Sequence, residues 1–90
     1  MDTIFTVVKY EEKIEGNTVK LTLFENKSFT AKRIFDVANK NDFQVIIITR
    51  DIILVKTISP FYADGRKKYR YWTFFTKEEW EELKAEEAEA

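Results

Sequence analysis

Two glycines and one proline are all that interrupt 90 residues, and both glycines stand where a hairpin would need them. Glu15-Gly16-Asn17-Thr18 separates IFTVVKYEEKI from VKLTLF, and Asp64-Gly65 separates ILVKTISPFYA from RKKYRYWTFF. A two-residue hairpin loop needs positive φ, which glycine takes without the Cβ clash that other residues suffer. Gly-Asn and Asp-Gly are both favoured loops of this kind. With so few breakers, the other connections must be short. The chain therefore reads as a sheet folded back on itself at these two points.

Between the hairpins lies SFTAKRIFDVANKND. Ser28 or Thr30 can cap a helix start, and Ala31, Ile34, Phe35 and Ala38 recur at helical spacing. Asn39, Asn41 and Asp42 then end a helix of about three turns. FQVIIIT is rich in β-branched residues and reads as a third strand. Arg50-Asp51 turns it into a fourth, although neither residue favours positive φ. Thr76-Lys77-Glu78-Glu79 is a capping box that opens a helix-forming run to the end. The expected order is β-β-α-β-β-β-α. The fold class is α+β, a single domain over 1–90 with an antiparallel sheet of about five strands, one central helix and one C-terminal helix. Residues 84–90 are expected to form a frayed, acidic helix end.

Loop length sets register, and register sorts side chains onto faces. In the first hairpin Ile14 is expected opposite Val19, Glu12 opposite Leu21 and Tyr10 opposite Leu23, an apolar face over the core. Lys13 with Lys20 and Glu11 with Thr22 would face water. Around Asp64-Gly65, one face pairs Ile58 with Tyr71, Lys56 with Thr73 and Leu54 with Phe75. The other pairs Phe61 with Lys68, Ser59 with Arg70, Thr57 with Trp72 and Val55 with Phe74. If Arg50-Asp51 closes a two-residue turn, Ile46 and Ile48 join this second face beside Ile53 and Val55. That surface is basic and aromatic near the hairpin tip, and apolar near its base through Ile46, Ile48, Ile53, Val55, Trp72 and Phe74. The first helix is expected to cover one face with Ile34 and Phe35, and the last helix the other with Trp80 and Leu83. The plain reading makes the apolar zone core. The sharper reading leaves part of it open as a docking face, because beyond those two residues the last helix offers only alanines.

Composition removes most catalytic chemistries. Cys and His are both absent, so disulfides, structural zinc, Cys-His pairs and Ser-His-Asp triads are excluded. Ser28 and Ser59 lack the flanking glycines of a nucleophile elbow, and two distant glycines cannot form a phosphate loop. Glu11 with Glu25 is a conceivable acid-base pair, and Glu78, Glu81, Glu82 and Glu86 a conceivable cation cluster. Nothing distinguishes either from ordinary surface acids. No enzyme activity, cofactor or metal is expected. The start MDTIFTVVKYEEK is no signal peptide, and the apolar stretches Val45 to Ile48 and Ile52 to Val55 fall far short of the ~18 residues of a membrane span. A soluble, cytoplasmic protein without membrane contact is expected.

The net charge is −1, but it is unevenly placed. Residues 1–76 carry thirteen basic and nine acidic groups, whereas 77–90 carry two and seven. The acidic tail could imitate a phosphate backbone, or simply form a solvated helix. Arg66-Lys67-Lys68-Tyr69-Arg70-Tyr71-Trp72 interleaves cations with rings, a mixture suited to single-stranded nucleic acid. The chain lacks the overall basic excess that usually accompanies such binding. The expected function is a non-enzymatic protein-binding module, a small inhibitor or adaptor of the kind found among viral and mobile-element accessory proteins. Phe61, Arg66, Lys68, Tyr69, Arg70, Trp72 and Phe74 form its partner-binding surface, with self-association into a homodimer as a companion expectation. Nucleic-acid binding through 66–72 is the alternative.

Overall fold

The computed structural model describes residues 3–89. Along the chain come β1 (Ile4–Ile14), β2 (Asn17–Phe24), β3 (Phe29–Thr30), α1 (Ala31–Lys40), β4 (Phe43–Thr49), β5 (Ile52–Thr57), β6 (Phe61–Ala63), β7 (Arg66–Thr76) and α2 (Lys77–Glu89). Neighbours pair antiparallel in the order β2-β1-β7-β5-β4. Short β3 pairs with β1, and short β6 pairs with β7. Seven strands thus occupy five positions, because β3 extends the β2 row and β6 extends the β5 row. The α+β class and element order are those expected. The extra strands arise where residues 25–28 and 58–60 break two rows in the middle.

Both glycine loops close with two residues in the left-handed region, Glu15 (φ 50°) with Gly16 (φ 81°) and Asp64 (φ 54°) with Gly65 (φ 74°). The registers that follow differ from expectation in three instructive ways. In the first hairpin the loop is Glu15-Gly16, so Ile14 meets Asn17 and not Val19. Val19 is then an extra residue, and beyond it Glu12 meets Lys20, Glu11 meets Leu21 and Tyr10 meets Thr22. The expected pairing is off by one, which moves Leu21 and Leu23 to the face opposite Tyr10.

Around Asp64-Gly65, Phe61 meets Lys68 as expected. Ile58, Ser59 and Pro60 then leave the ladder, since proline has no N–H to donate to it. The strands rejoin two residues out of step, with Val55 opposite Trp72 and Lys56 opposite Tyr71. A slip of two changes partners but preserves faces. Arg50-Asp51 does close a two-residue turn, with Thr49 opposite Ile52. Neither residue takes positive φ; instead Ile48 is an extra residue just before the turn. Beyond it Ile47 meets Ile53 and Val45 meets Val55, so Ile46 faces the other side against Leu54. Ile46 therefore does not join the Val55 face, and Ile48 pairs with no residue of β5.

The core lies between α1 and that face. Phe5, Ile34, Ala38, Ile53 and Val55 are buried together. Thr30 caps α1, its Oγ1 accepting from the Arg33 N–H at 3.2 Å. Asn41 closes it, its Nδ2 donating to the Val37 carbonyl at 2.8 Å. Ile34 and Ala38, one turn apart, point at the sheet. Phe35, expected beside Ile34, flanks them and remains 37% exposed. The helices have exchanged their expected faces: α1 covers the Val55 face, and α2 packs on β1 and β7 from the other side, where Trp80 lies 5.3 Å from the Phe75 ring. The acidic end has helical geometry to Glu89, and Ala90 lies outside the described residues.

Candidate protein-docking hollow

A ten-residue helix is about 15 Å long, whereas five strands span about 19 Å between outer axes. α1 packs against β3 and β4 and leaves part of the sheet beneath it uncovered. The result is a hollow of about 350 Å³ between α1 and the sheet. Val8 of β1 with Trp72 and Phe74 of β7 form its floor, Val37 of α1 and Phe24 of β2 its walls, and Lys27 and Arg33 its polar rim.

The floor is held rigidly. Trp72 stacks on Phe43 with ring centroids 4.9 Å apart and leans on Tyr10 at 5.3 Å. Phe74 meets Phe29 edge to face at 5.5 Å. The Tyr10 hydroxyl donates to Glu12 Oε2 at 2.7 Å. Burial first, then that anionic partner, push the Tyr10 hydroxyl up to about 12. The same hydrogen bond, aided by Lys20, Lys68 and Arg70, holds the Glu12 carboxyl below the usual carboxylate range. Lys68 Nζ lies 3.8 Å from Glu12 Oε1. The aromatic floor thus continues into a neutralised polar network.

Of the expected docking residues, Trp72 and Phe74 lie in the hollow. Arg66, Lys68 and Arg70 alternate with them along β7, on the same face, towards the hairpin tip. Phe61 stands opposite Lys68, and the Arg70 guanidinium lies 4.3 Å from its ring centroid. Tyr69 points to the other face, opposite Lys13. All seven were expected to form one partner-binding surface; in the structure Phe61, Lys68 and Arg70 are already engaged with one another. The Tyr71 ring is likewise flanked by Lys13 at 5.2 Å and Lys56 at 5.8 Å. Tyr71 and Trp72, two of the rings of strand 66–72 that could stack on bases, therefore have cations or rings of this chain against them.

Phe24, Lys27, Arg33 and Val37 were not expected at a site. Val37 follows Ile34 by three residues and so flanks the buried helix stripe, a signal the sequence does contain. Lys27 sits in an irregular bridge, tied down by its N–H donating to the Thr6 carbonyl at 3.0 Å, and no pattern announces it. Among the described residues neither Lys27 nor Arg33 has an ion-pair partner.

The carboxylates considered for chemistry are separated. Glu11 accepts from the Thr18 hydroxyl at 2.8 Å and pairs with Lys9 at 3.6 Å, whereas Glu25 pairs with Lys84 of α2 at 3.7 Å. Burial pushes the Glu11 carboxyl up, but Thr18, Lys9 and Lys13 together bring it below its ordinary value. Among the described residues no group of three or more acidic side chains is placed to hold a metal ion. No helix among them is long and apolar enough to cross a membrane. The chain matches no protein-family model, and neither a curated protein nor a solved structure shows significant similarity to it. Function must be read from the side chains of this chain alone.

Proposed function

We propose that this chain is a non-enzymatic protein-binding module, an inhibitor or adaptor that occludes a partner by taking an apolar segment of it into the α1 hollow. The observation that carries the reading is the hollow itself: an aromatic floor fixed by its own ring contacts, with two cations free of ion pairs at the rim. Fixed rings bury apolar area without losing rotamer freedom on binding, and Trp with Arg is a usual hot-spot pairing. Lys27 and Arg33 select a segment whose apolar residues are flanked by Asp or Glu. The cysteine-free composition fits action in a reducing, cytoplasmic setting.

The test is selection of a displayed random-peptide library against the folded chain, read by tryptophan fluorescence with synthetic peptides. Enriched peptides are expected to carry two or three large apolar residues beside acids. Val37→Glu should weaken them at least tenfold, and Lys27→Glu with Arg33→Glu several-fold. Peptides indifferent to all three substitutions would refute the reading. So would a labelled single-stranded oligonucleotide that binds more tightly than any peptide and is released steeply by salt.

A further inference from the structure

We propose that β4 pairs edge to edge with β4 of a second copy of this chain, joining two sheets into one. This seam is distinct from the α1 hollow, which meets β4 only at Phe43 and opens at Lys27 towards the opposite edge of the sheet.

The two edges of the sheet are built differently. β2 is guarded: Lys20 sits mid-strand, and residues 25–28 break the row. β4, Phe43–Thr49, pairs only with β5 and contains no charge, glycine or proline over seven residues. Ile46, Ile47 and Ile48 are 37%, 62% and 53% exposed. On the helix side, Phe35 and Ile47 line a shared hollow of about 300 Å³ beside Arg50. The one irregularity of β4 is the Ile48 bulge near the Arg50 end, and the run from Phe43 to Ile47 before it offers unpaired backbone groups to another strand.

Charge identifies that strand. Asp42 and Arg50 bracket β4, each four residues from Ile46. Among the described residues neither has an ion-pair partner. Antiparallel pairing of β4 with itself brings the Asp42 end of each copy beside the Arg50 end of the other, twice per dimer. A two-fold perpendicular to the sheet keeps faces together. Phe35 and Ile47 of both copies then approach the seam on the helix side, and Ile46 of both copies on the other.

Sedimentation equilibrium of the full chain from micromolar to millimolar concentration is expected to show a monomer–dimer equilibrium. Ile47→Lys should raise the dissociation constant at least tenfold with an unchanged circular dichroism spectrum. Arg50→Glu, which faces Asp42 with a like charge, should raise it several-fold, and Asp42→Asn added to it should recover part of the loss. Asn is chosen because residue 42 has φ 57°, which Asn tolerates. If Ile47→Lys misfolds, hydrogen exchange on the unaltered chain decides: amides of Val45 to Ile47 should slow as concentration rises. A monomer at all concentrations overturns the proposal. So does a dimer insensitive to Ile47→Lys and Arg50→Glu but lost on Val37→Glu, which would place the contact at the hollow.

Discussion

Thr76 joins three elements, and replacing it with Val should measure that junction. Its Oγ1 accepts from the Glu79 N–H at 3.3 Å, capping α2, and donates to Asp51 Oδ1 at 3.3 Å. Its N–H donates to the Asp51 carbonyl at 3.1 Å, a bond any residue but proline would keep. The side chain is 2% exposed. Val has nearly the same shape, so Thr76→Val opens no cavity and removes only the two hydroxyl bonds. A lost N-cap costs typically about 1 kcal/mol. Both distances are longer than the usual range, so the bond to Asp51 adds no more than about 0.5–1 kcal/mol. The total is about 1.5–2 kcal/mol, against roughly 5–13 kcal/mol for a domain of this size. Thr76→Ser keeps both bonds and loses one buried methyl, about 1 kcal/mol. Urea unfolding followed by tryptophan emission reads the difference, because Trp80 packs beside the junction on Phe75. The expected order of stability is Thr, then Ser, then Val. Val at or above Thr would show that the capping box contributes nothing, and would refute the reasoning.

Two further perturbations follow from burial and from charge. Phe5→Ala should cost about 3–5 kcal/mol because Phe5 is fully buried in the core. Phe35→Ala should cost about 1–1.5 kcal/mol at concentrations where the chain is monomeric, since its ring is partly in water; equal losses in thermal melts would place both rings in one core. For pH, Glu11 and Glu12 are held below their ordinary 4.5 in the folded chain, so the unfolded chain binds more protons as acid is added. Their stabilisation is complete above the ordinary carboxylate pKa and is lost as pH falls through the depressed folded values. Glu79 runs the other way: lost hydration first, then Glu82, Asp51 and Glu86, raise its carboxyl, so its ionisation subtracts stability as pH rises. Urea midpoints from pH 2 to 6 should therefore fall on acidification, less steeply in Glu12→Gln and more steeply in Glu79→Gln.

Much of this fold is legible because its decisive signals are local. Gly16 and Gly65 mark the two loops with left-handed pairs, Thr30 and Thr76 mark both helix starts, and Asn41 marks a helix end. Faces are less legible, because one extra residue inverts them. Val19 and Ile48 are strand formers by every local measure, yet each is the surplus residue of its ladder. Nothing in a Val or an Ile says that it opposes no partner; the strand's twist and the packing of its neighbours decide. Where the irregularity spans two register steps, at Ile58 to Pro60, parity survives. That is why Trp72, Val55 and Arg70 fall on the face assigned to them while Ile46 does not.

The same parity argument explains where the apolar surface ends up. The Ile48 bulge lets Val45 and Ile47 follow Val55 and Ile53 onto the helix side, leaving Ile46 on the other side of an uncharged edge strand. The Val19 bulge carries Leu21 and Leu23 away from α1, so Phe24 reaches the hollow's wall without them. A uniform register would have put Leu21, Leu23, Ile46 and Ile48 beneath a helix too short to cover them all. Instead the bulges divide that load, and what α1 cannot reach becomes a bounded hollow on a fixed aromatic floor. The hollow therefore depends on helix length as much as on its lining. Thr30 and Asn41 limit α1 to ten residues, and every strand row beyond its reach must be met by something other than α1.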